Sequence, residues 1–324
     1  MTNPMAAVWT DSIKDDIPRI EDYIHETILS GNPELNEMCN YVIDSGGKRL
    51  RPIICLLSHL AMGGKERERA IRIGSAFEIV HSATLIHDDI NDGGELRRGR
   101  KTLHKQYTLT KAIVAGDFML TRGYKAMGNI SEEVMTIILN AASAMSEGEF
   151  IQKDLERVAS VTEEEYFKII NGKTAVLINA SAMAGAYMAT KDEDLLSVID
   201  KYSIKIGLAF QILDDVLDVV GSVKTGKRTG IDMTEGKPTL PVIYAMQDPV
   251  HGDEVRSLFV RDDLSDEEIV HALDLIKQTD SIERCREKAE KLIDEAIEVL
   301  RRLPESDYRD SLEGLAHYIV SRDR

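Results

Sequence analysis

The stretch Phe77-Glu-Ile-Val-His-Ser-Ala-Thr-Leu-Ile-His-Asp-Asp-Ile-Asn-Asp92 decides how the chain is read. Apolar residues recur at helical spacing through Phe77, Val80, Leu85 and Ile86, which predicts a buried helix with acids at its C-terminal end. On that helix Asp88 and Asp92 lie on one face, one turn of about 5.4 Å apart, with Asp89 about 100° round. Carboxylates so placed repel one another. Water at an exposed helix end would offset that repulsion, and so would a cation.

The chain repeats the pattern at Asp214-Asp215-Val216-Leu217-Asp218, and the lead-ins match: Ala83-x-x-Ile86-x-Asp88-Asp89 beside Ala209-x-x-Ile212-x-Asp214-Asp215. Two apolar helices ending in the same acids suggest facing carboxylate clusters at the mouth of a helix bundle. Hard oxygen ligands suit Mg²⁺, which keeps several waters and binds through one or two carboxylates plus substrate phosphates. A diphosphate substrate is the implied partner.

The remaining sequence contains little punctuation. Among 324 residues only 8 are proline, and neither a Ser/Pro-rich linker nor a long alternating strand pattern occurs. An all-α chain forming a single domain over residues 1–324 is expected. A hydrophobic fraction of 43% is ample for a core, and 5% aromatics imply aliphatic and methionine packing. The net charge of −16 argues against a nucleic-acid surface. Cys39, Cys55 and Cys285 are odd in number and lie in helical patterns, which fits reduced thiols. The start lacks the basic head and apolar run of a signal peptide, and the longest apolar run, Ala175 to Ala189, is too short to span a bilayer. No transmembrane segment and a cytoplasmic location are expected.

Cations gather at three places. Gly46-Gly47-Lys48-Arg49-Leu50-Arg51-Pro52 leads into a helix predicted from Pro52 to about Met62, and a glycine turn at a helix start with Lys48 and Arg51 suits an anion. Arg97, Arg98, Arg100 and Lys101 follow the first acids after Gly93-Gly94, in a loop able to fold back over phosphates. The second acidic helix, predicted over about Leu195 to Val219, runs into a glycine-rich loop with Lys224, Lys227, Arg228 and Lys237, the composition of a lid that closes on an anion. Between these, helical patterns cover Thr110–Gly128, Glu132–Arg157 and Thr162–Ile170, and Gly172-Lys173-Thr174 opens the apolar run. Glu149, Gln152 and Asp154 read as a solvated face. Beyond Pro241 the capping box Ser265-x-x-Glu268 and charged helices read as scaffold.

These residues together resemble the all-trans polyprenyl diphosphate synthase family, of the geranylgeranyl diphosphate synthase type. The resemblance rests on Gly-Lys-Arg-Leu-Arg-Pro (47–52), Glu-x-x-His (78–81), His-Asp-Asp-x-x-Asp (87–92), Arg-Arg-Gly (97–99), Gly-Lys-Thr (172–174), Gln-x-x-Asp-Asp-x-x-Asp (211–218) and Glu-Gly-Lys-x-Thr-Leu-Pro (235–241). It implies a single large helical bundle around a deep central cavity, an isoprenoid synthase-type fold, and a homodimer. It also implies an enzyme that condenses isopentenyl diphosphate with an allylic diphosphate by ionisation, alkylation and proton loss. By the same resemblance Asp88 and Asp92 would bind two Mg²⁺ on the allylic diphosphate, and Asp214, with Asp218 nearby, a third. Arg97, Lys173, Thr174, Gln211, Lys227 and Lys237 would contact the allylic substrate, and Lys48, Arg51, His81 and Arg98 would bind isopentenyl diphosphate.

Dense positive charge on the leaving diphosphate and an apolar cavity with oriented dipoles, such as the oxygens of Thr174 and Gln211, are what a departing diphosphate and a carbocation need. Product length would be set beneath the first acids. Going back along the helix the pocket-facing candidates are Thr84 and Ala83, which are small, then Val80, then Phe77 or Ala76, and Phe77 is the first bulky ring, about 16 Å along the helix axis from Asp88. A product of about C20 to C25 is expected.

Three other readings compete. A di-iron carboxylate protein would use Glu-x-x-His twice, at Glu78/His81 and Glu268/His271, but Ile269, Leu273 and Ile276 define the buried stripe of the second helix and turn His271 to solvent. A terpene cyclase would not need a second full acidic motif and two basic sets. A non-catalytic partner subunit would be expected to lack acids or clamp residues, and this chain retains them.

Overall fold

With few prolines and short connections, most of the chain closes its backbone hydrogen bonds locally. The computed structural model describes residues 9–128, 130–221 and 229–321. After a 3₁₀ turn at Asp11–Ile13 come α1 (Ile17–Thr27), α2 (Pro33–Ile43), α3 (Leu50–Ala61) and α4 (Arg67–Asn91). The strands β1 (Leu96–Arg97) and β2 (Arg100–Lys101) then precede α5 (Leu103–Gln106), α6 (Leu109–Ala126), α7 (Glu132–Leu155) and α8 (Glu163–Ile170). A π-helical turn at Asn171–Ala175 leads into α9 (Val176–Ala189) and α10 (Glu193–Val220). The remaining helices are α11 (Ile231–Glu235), α12 (Leu240–Ala245), α13 (Gly252–Phe259), α14 (Asp266–Lys277), α15 (Ser281–Leu300) and α16 (Asp307–Ser321).

Local chemistry sets several boundaries. Asn32 caps α2 through Leu35 N–H, and reciprocal capping boxes start α8 (Thr162 with Glu165) and α14 (Ser265 with Glu268). The helix predicted from Pro52 begins two residues earlier, at Leu50, with Arg49 as its N-cap at φ +50°. Between β1 and β2, Arg98 and Gly99 both have positive φ, +53° and +76°, as a tight two-residue hairpin turn requires. The basic run after the first acids is therefore a short hairpin, whose two-residue strands are too brief to leave an alternating pattern.

The chain divides into two compact units, each described by itself. The first comprises Met1–Ile138, Ala180–Asp200 and Arg301–Gly314. Helix α4 is its centre, packed by α6, α3 and α1. Because it is covered on several sides, its buried residues run almost continuously from Ala70 to Val80. Such a helix carries no single apolar stripe. The second unit comprises Leu139–Asn179, Lys201–Leu300 and Leu315–Arg324. Tyr166, Tyr202 and Phe259 are its largest fully buried side chains. As expected, Ile269, Leu273 and Ile276 are buried, while His271 is exposed and bonded to Glu254 at 2.8 Å. All three cysteines are free and buried. Among the described residues no helix is long and apolar enough to cross a membrane.

The tightest backbone approach in the first unit lies between α9 and α3, where a Cβ on Gly185 would sit 2.0 Å from the Cys55 carbonyl oxygen. His59 Nδ1 joins the same Gly185 carbonyl at 3.1 Å. Gly185→Ala cannot be relieved by rotating a side chain, so a loss of about 3 kcal/mol is expected, a drop of roughly 6 °C or more in melting temperature by calorimetry. An unchanged melting temperature would show that α9 slides at no cost.

Candidate active site

In the first unit α4 ends on its acids. The N–H of Asp92, the C-cap, donates to the Asp88 carbonyl at 2.9 Å, so both side chains belong to the last turn. Asp89 is buried, and burial pushes its pKa up with Asp92 adding to the shift, while Arg97 pulls it down. Arg97 does so directly, donating Nε to Asp89 Oδ1 at 2.7 Å. Beneath the acids, helical spacing puts Phe77 and Thr84 on the stripe of Asp88. Val80 lies on the stripe that meets α6, where a Cβ on Gly123 would be 2.8 Å from Val80 Cγ2. Phe77, Val80 and Ala83 are buried, and the Thr84 hydroxyl donates to the His81 carbonyl at 2.8 Å.

A pocket of about 510 Å³ opens on another side of α4, with Tyr41, Glu78, His81, Asp89 and the hairpin cations Arg97, Arg98, Arg100 and Lys101 in its wall. Its floor depends on a residue that the sequence reading gave no role. Arg49, left-handed and buried, donates to both Glu21 oxygens at 2.8 and 3.0 Å and to the Ile43 carbonyl at 3.1 Å. It also approaches Glu78 at 3.7 Å. Glu78 itself is buried, and its Oε2 has no hydrogen-bond partner. The guanidinium groups of Arg49 and Arg98 crowd Gly47 so closely that a Cβ there would lie 3.0 and 3.3 Å from them.

The electrostatics of this pocket are those of an anion site. Burial lowers Arg51 to about 10, with Glu78 opposing and Arg98 adding to the shift. Burial also pushes His81 well below the usual histidine value, helped by Arg51, Arg98 and Arg97. The imidazole is therefore neutral among cations. Of the four residues expected at isopentenyl diphosphate, His81 and Arg98 line the pocket and Arg51 shares their field, while Lys48 is exposed on the preceding loop.

The second unit carries the other acidic set. The π turn is held where α7 passes it: a Cβ on Gly172 would lie 2.8 Å from the Ala144 carbonyl oxygen and 3.0 Å from Gly148 Cα. Widened turns of this kind redirect side chains and recur at functional sites. Here Lys173 Nζ pairs with Glu149 at 2.7 Å and donates to Gln152 at 3.3 Å. The expected solvated face is thus corrected: Asp154 is exposed, but Gln152 is buried and, with Glu149, holds a site lysine. Their spacing of three residues on one helix was the available signal.

Thr174 donates to Gln211 Oε1 at 2.6 Å, Gln211 Nε2 donates to Asp215 Oδ1 at 2.8 Å, and Tyr166 donates to Asp215 Oδ2 at 2.6 Å. Asp218 accepts the N–H groups of Ile231 and Asp232 at 3.3 and 3.1 Å. Burial nevertheless pushes it up to about 8, with Asp232 and Asp214 adding to the shift. Burial and Asp232 push Asp215 up as well. Lys237 pairs with Glu235 at 2.5 Å. The loop between them is fixed by Arg157, which takes the Gly236 carbonyl through its backbone N–H at 2.8 Å and the Thr234 carbonyl through its guanidinium at 2.7 Å. Lys227, with Lys224 and Arg228, lies outside the described residues.

These donors fit a divalent cation of the Mg²⁺ kind. They are all carboxylates, and burial and mutual repulsion raise the cost of their charge. Among the described residues no three acid, histidine or cysteine side chains form a metal cage by themselves.

The neutral state of His81 has a measurable consequence. In the unfolded chain it takes up a proton near pH 6.5, whereas in the fold it does not. Its contribution to stability is full above that pH and falls as pH drops below it. Between about pH 6.5 and 5 the melting temperature of the wild type is expected to fall more steeply than that of His81→Asn. Parallel curves would show that His81 accepts the proton in place.

The Polyprenyl synthetase family model matches residues 32–276. The geranylgeranyl pyrophosphate synthase of Geoglobus acetivorans is 36% identical over 322 residues, covering 97% of this chain and 99% of that protein. The octaprenyl diphosphate synthase of Escherichia coli K12 is 33% identical over 315 residues, covering 95% and 96%. The crystal structure of a polyprenyl synthase from Caulobacter crescentus CB15, complexed with calcium and isoprenyl diphosphate, superimposes with a TM-score of 0.93 at 29% identity, covering 98% of each chain. By that family match and these relatives, the chain belongs to the polyprenyl synthetase family, a family of all-helical prenyltransferases.

Proposed function

We propose that this prenyltransferase condenses isopentenyl diphosphate with an allylic diphosphate to an all-trans product of about C20 to C25. The observation that carries the reading is the cationic pocket beside the acidic end of α4, which holds a neutral histidine, and the charge-strained Asp215 and Asp218 on α10 agree with it. Asp88, Asp92, Asp214 and Asp218 hold the metal ions, three Mg²⁺ when substrate is bound, which neutralise charge on the leaving diphosphate. Arg97, Lys173, Lys227 and Lys237 grip the allylic diphosphate. In this structure Arg97, Lys173 and Lys237 are paired with Asp89, Glu149 and Glu235, so substrate phosphate replaces carboxylate partners already in place. Lys48, Arg51, His81 and Arg98 bind isopentenyl diphosphate, the neutral imidazole as a hydrogen-bond donor. Thr174 and Gln211 present oriented dipoles to the allylic cation.

The product grows beneath Asp88 along α4, past Thr84, Ala83 and Val80, and stops at Phe77. The depth of about 16 Å supports three or four isoprene units. A catalytic domain over residues 1–324 is supported by a family match that runs through both compact units. A homodimer is supported by apolar side chains left exposed on α6 and α7, including Leu109, Val114, Leu139 and Phe150, the last at 74%. A cytoplasmic location agrees with the metabolite substrates.

The test is incubation of purified protein with isopentenyl diphosphate and dimethylallyl, geranyl or farnesyl diphosphate, with and without Mg²⁺, reading product mass. Mg²⁺-dependent elongation that stops at C20 to C25 is expected, and folded protein that elongates no starter would point to a non-catalytic subunit. Asp88→Ala is expected to lower kcat at least ~100-fold. Ala83→Phe and Thr84→Phe are expected to shorten the product by at least one isoprene unit; unchanged length in both would remove this wall from the elongation path.

A further inference from the structure

Arg157 draws notice first through its backbone. It lies just past the end of α7 at φ +60°, in the left-handed region that a residue with a Cβ enters only at a cost. Such a conformation persists where the surrounding bonds over-determine it. The N–H of Arg157 donates to the Gly236 carbonyl at 2.8 Å, Nη2 donates to the Thr234 carbonyl at 2.7 Å, and Nη1 donates to the Arg261 carbonyl just past α13. The arginine stem passes directly over Gly236, where a Cβ would lie 2.4 Å from Arg157 Cγ and 3.1 Å from Cζ. Gly236 is itself left-handed, at φ +72°. A planar guanidinium holds its donors in a fixed fork, so one side chain reaches carbonyls on two separate segments.

The turn held in this way is the one that carries Lys237. The Lys237 N–H donates to the Asp232 carbonyl at 2.8 Å, and its side chain pairs back to Glu235. The five-residue α11 that precedes it is tied at its other end, where Ile231 and Asp232 give their N–H groups to Asp218. Gly230 there packs on α14, its Cβ position 2.8 Å from Ile269 Cγ2. Arg157 thus secures the end of α11 that adjoins the lysine.

We propose that Arg157 is a positioning residue for the allylic diphosphate, its clamp on Thr234 and Gly236 setting where Lys237 stands when that lysine exchanges Glu235 for phosphate. The inference rests on the prenyl-transfer reading above, in which Lys173 and Lys237 grip the same diphosphate. Glu149 and Gln152, on the last two turns of α7, hold Lys173. One helix end therefore supports both lysines, and their spacing follows from α7 and not from the long stretch of chain between them. A cation held in place before the ligand arrives costs less to order on binding, so the clamp acts on affinity for the allylic partner. Isopentenyl diphosphate, received by other cations, does not feel it.

Arg157→Gly tests this, because glycine accepts a φ of +60° and keeps the backbone bond to Gly236 while the side-chain clamp is lost. The assay uses the full chain with Mg²⁺, isopentenyl diphosphate and whichever of dimethylallyl, geranyl or farnesyl diphosphate the wild type elongates. KM for the allylic diphosphate is expected to rise about 10-fold, with KM for isopentenyl diphosphate within about two-fold of wild type. In a Lys237→Ala background the same substitution is expected to change the allylic KM by less than about two-fold, because the group it positions is gone. An allylic KM that stays put in Arg157→Gly, two KM values that rise together, or an equal factor in both backgrounds would each overturn the proposal. Should Arg157→Gly fail to fold, Arg157→Lys replaces it, since an ammonium loses the fork that spans both carbonyls. Its allylic KM is expected to rise about 5-fold and to lose that rise in Lys237→Ala, and an unchanged value would overturn the clamp. Wild-type protein that elongates no starter would remove the prenyl-transfer reading and this inference with it. An active wild type whose two KM values keep their ratio in the variant removes the role of Arg157 alone.

Discussion

Repulsion between carboxylates that the fold does not fully balance is the constraint on which the rest of this structure depends. Asp215 is buried and Asp218 half-buried on α10 with Asp232 raising both, and Asp89 is buried at the end of α4. The compensation differs from one to the next. Asp89 has a guanidinium, Asp215 has a phenol and an amide, and Asp218 has two backbone N–H groups. Neutral donors stabilise a carboxylate without cancelling its field. Holding such groups apart from solvent requires stiff supports. Helices of 25 and 28 residues supply them, each locked through most of its length by side chains on several sides.

The opposite problem is solved in the pocket beside α4. A chain with a net charge of −16 collects arginines there, yet they are not equivalent. Arg49 is consumed by Glu21 and the Ile43 carbonyl and serves to shape the loop before α3. Arg51 and Arg98 remain with their charge only partly answered by Glu78, and burial lowers both. A neutral His81 in this company adds a donor without adding another cation to repel them. On the proposed reading, such a pocket holds one diphosphate while the acids gather metal around the other, so the two substrates are told apart by the sign of the charge that receives them.

Much of this could be read from the sequence because it is local. Repeated acids, glycine-flanked cations and the Ser265 capping box are signals of a few adjacent residues; the first acids do end α4, and Ser265 does cap α14. What escaped is set by partners distant in sequence. The ten residues of α4 before Phe77 went unread because a helix packed on several sides carries no stripe. The hairpin at Leu96–Lys101 is too short for alternation. Gln152 resembled solvated surface because the lysine that it receives is twenty-one residues away, across a π turn that composition does not announce. Nothing local marks Tyr166, since its partner Asp215 lies forty-nine residues further on.

Product length belongs to neither category. Relatives 36% and 33% identical to this chain, over almost all of its length, carry geranylgeranyl and octaprenyl names. A property that varies so freely at constant fold cannot reside in the helices, the acids or the cationic pocket. It must reside in the few side chains that a growing tail meets. One helical turn advances about 5.4 Å, close to one isoprene unit, so the step between products corresponds to the step between successive residues on one stripe of α4. On the stripe of Asp88 lies Thr84 one turn down and Phe77 two turns below that. The threonine spends its hydroxyl on the His81 carbonyl, and the phenylalanine is wholly buried in the packed centre of its unit. A ring fixed from behind by the core makes a firm floor, because moving it would open a cavity of its own volume, at a cost of about 3–5 kcal/mol. That rigidity is why the depth of the wall, and not the affinity of the diphosphate sites, is the quantity that ends elongation on the proposed reading.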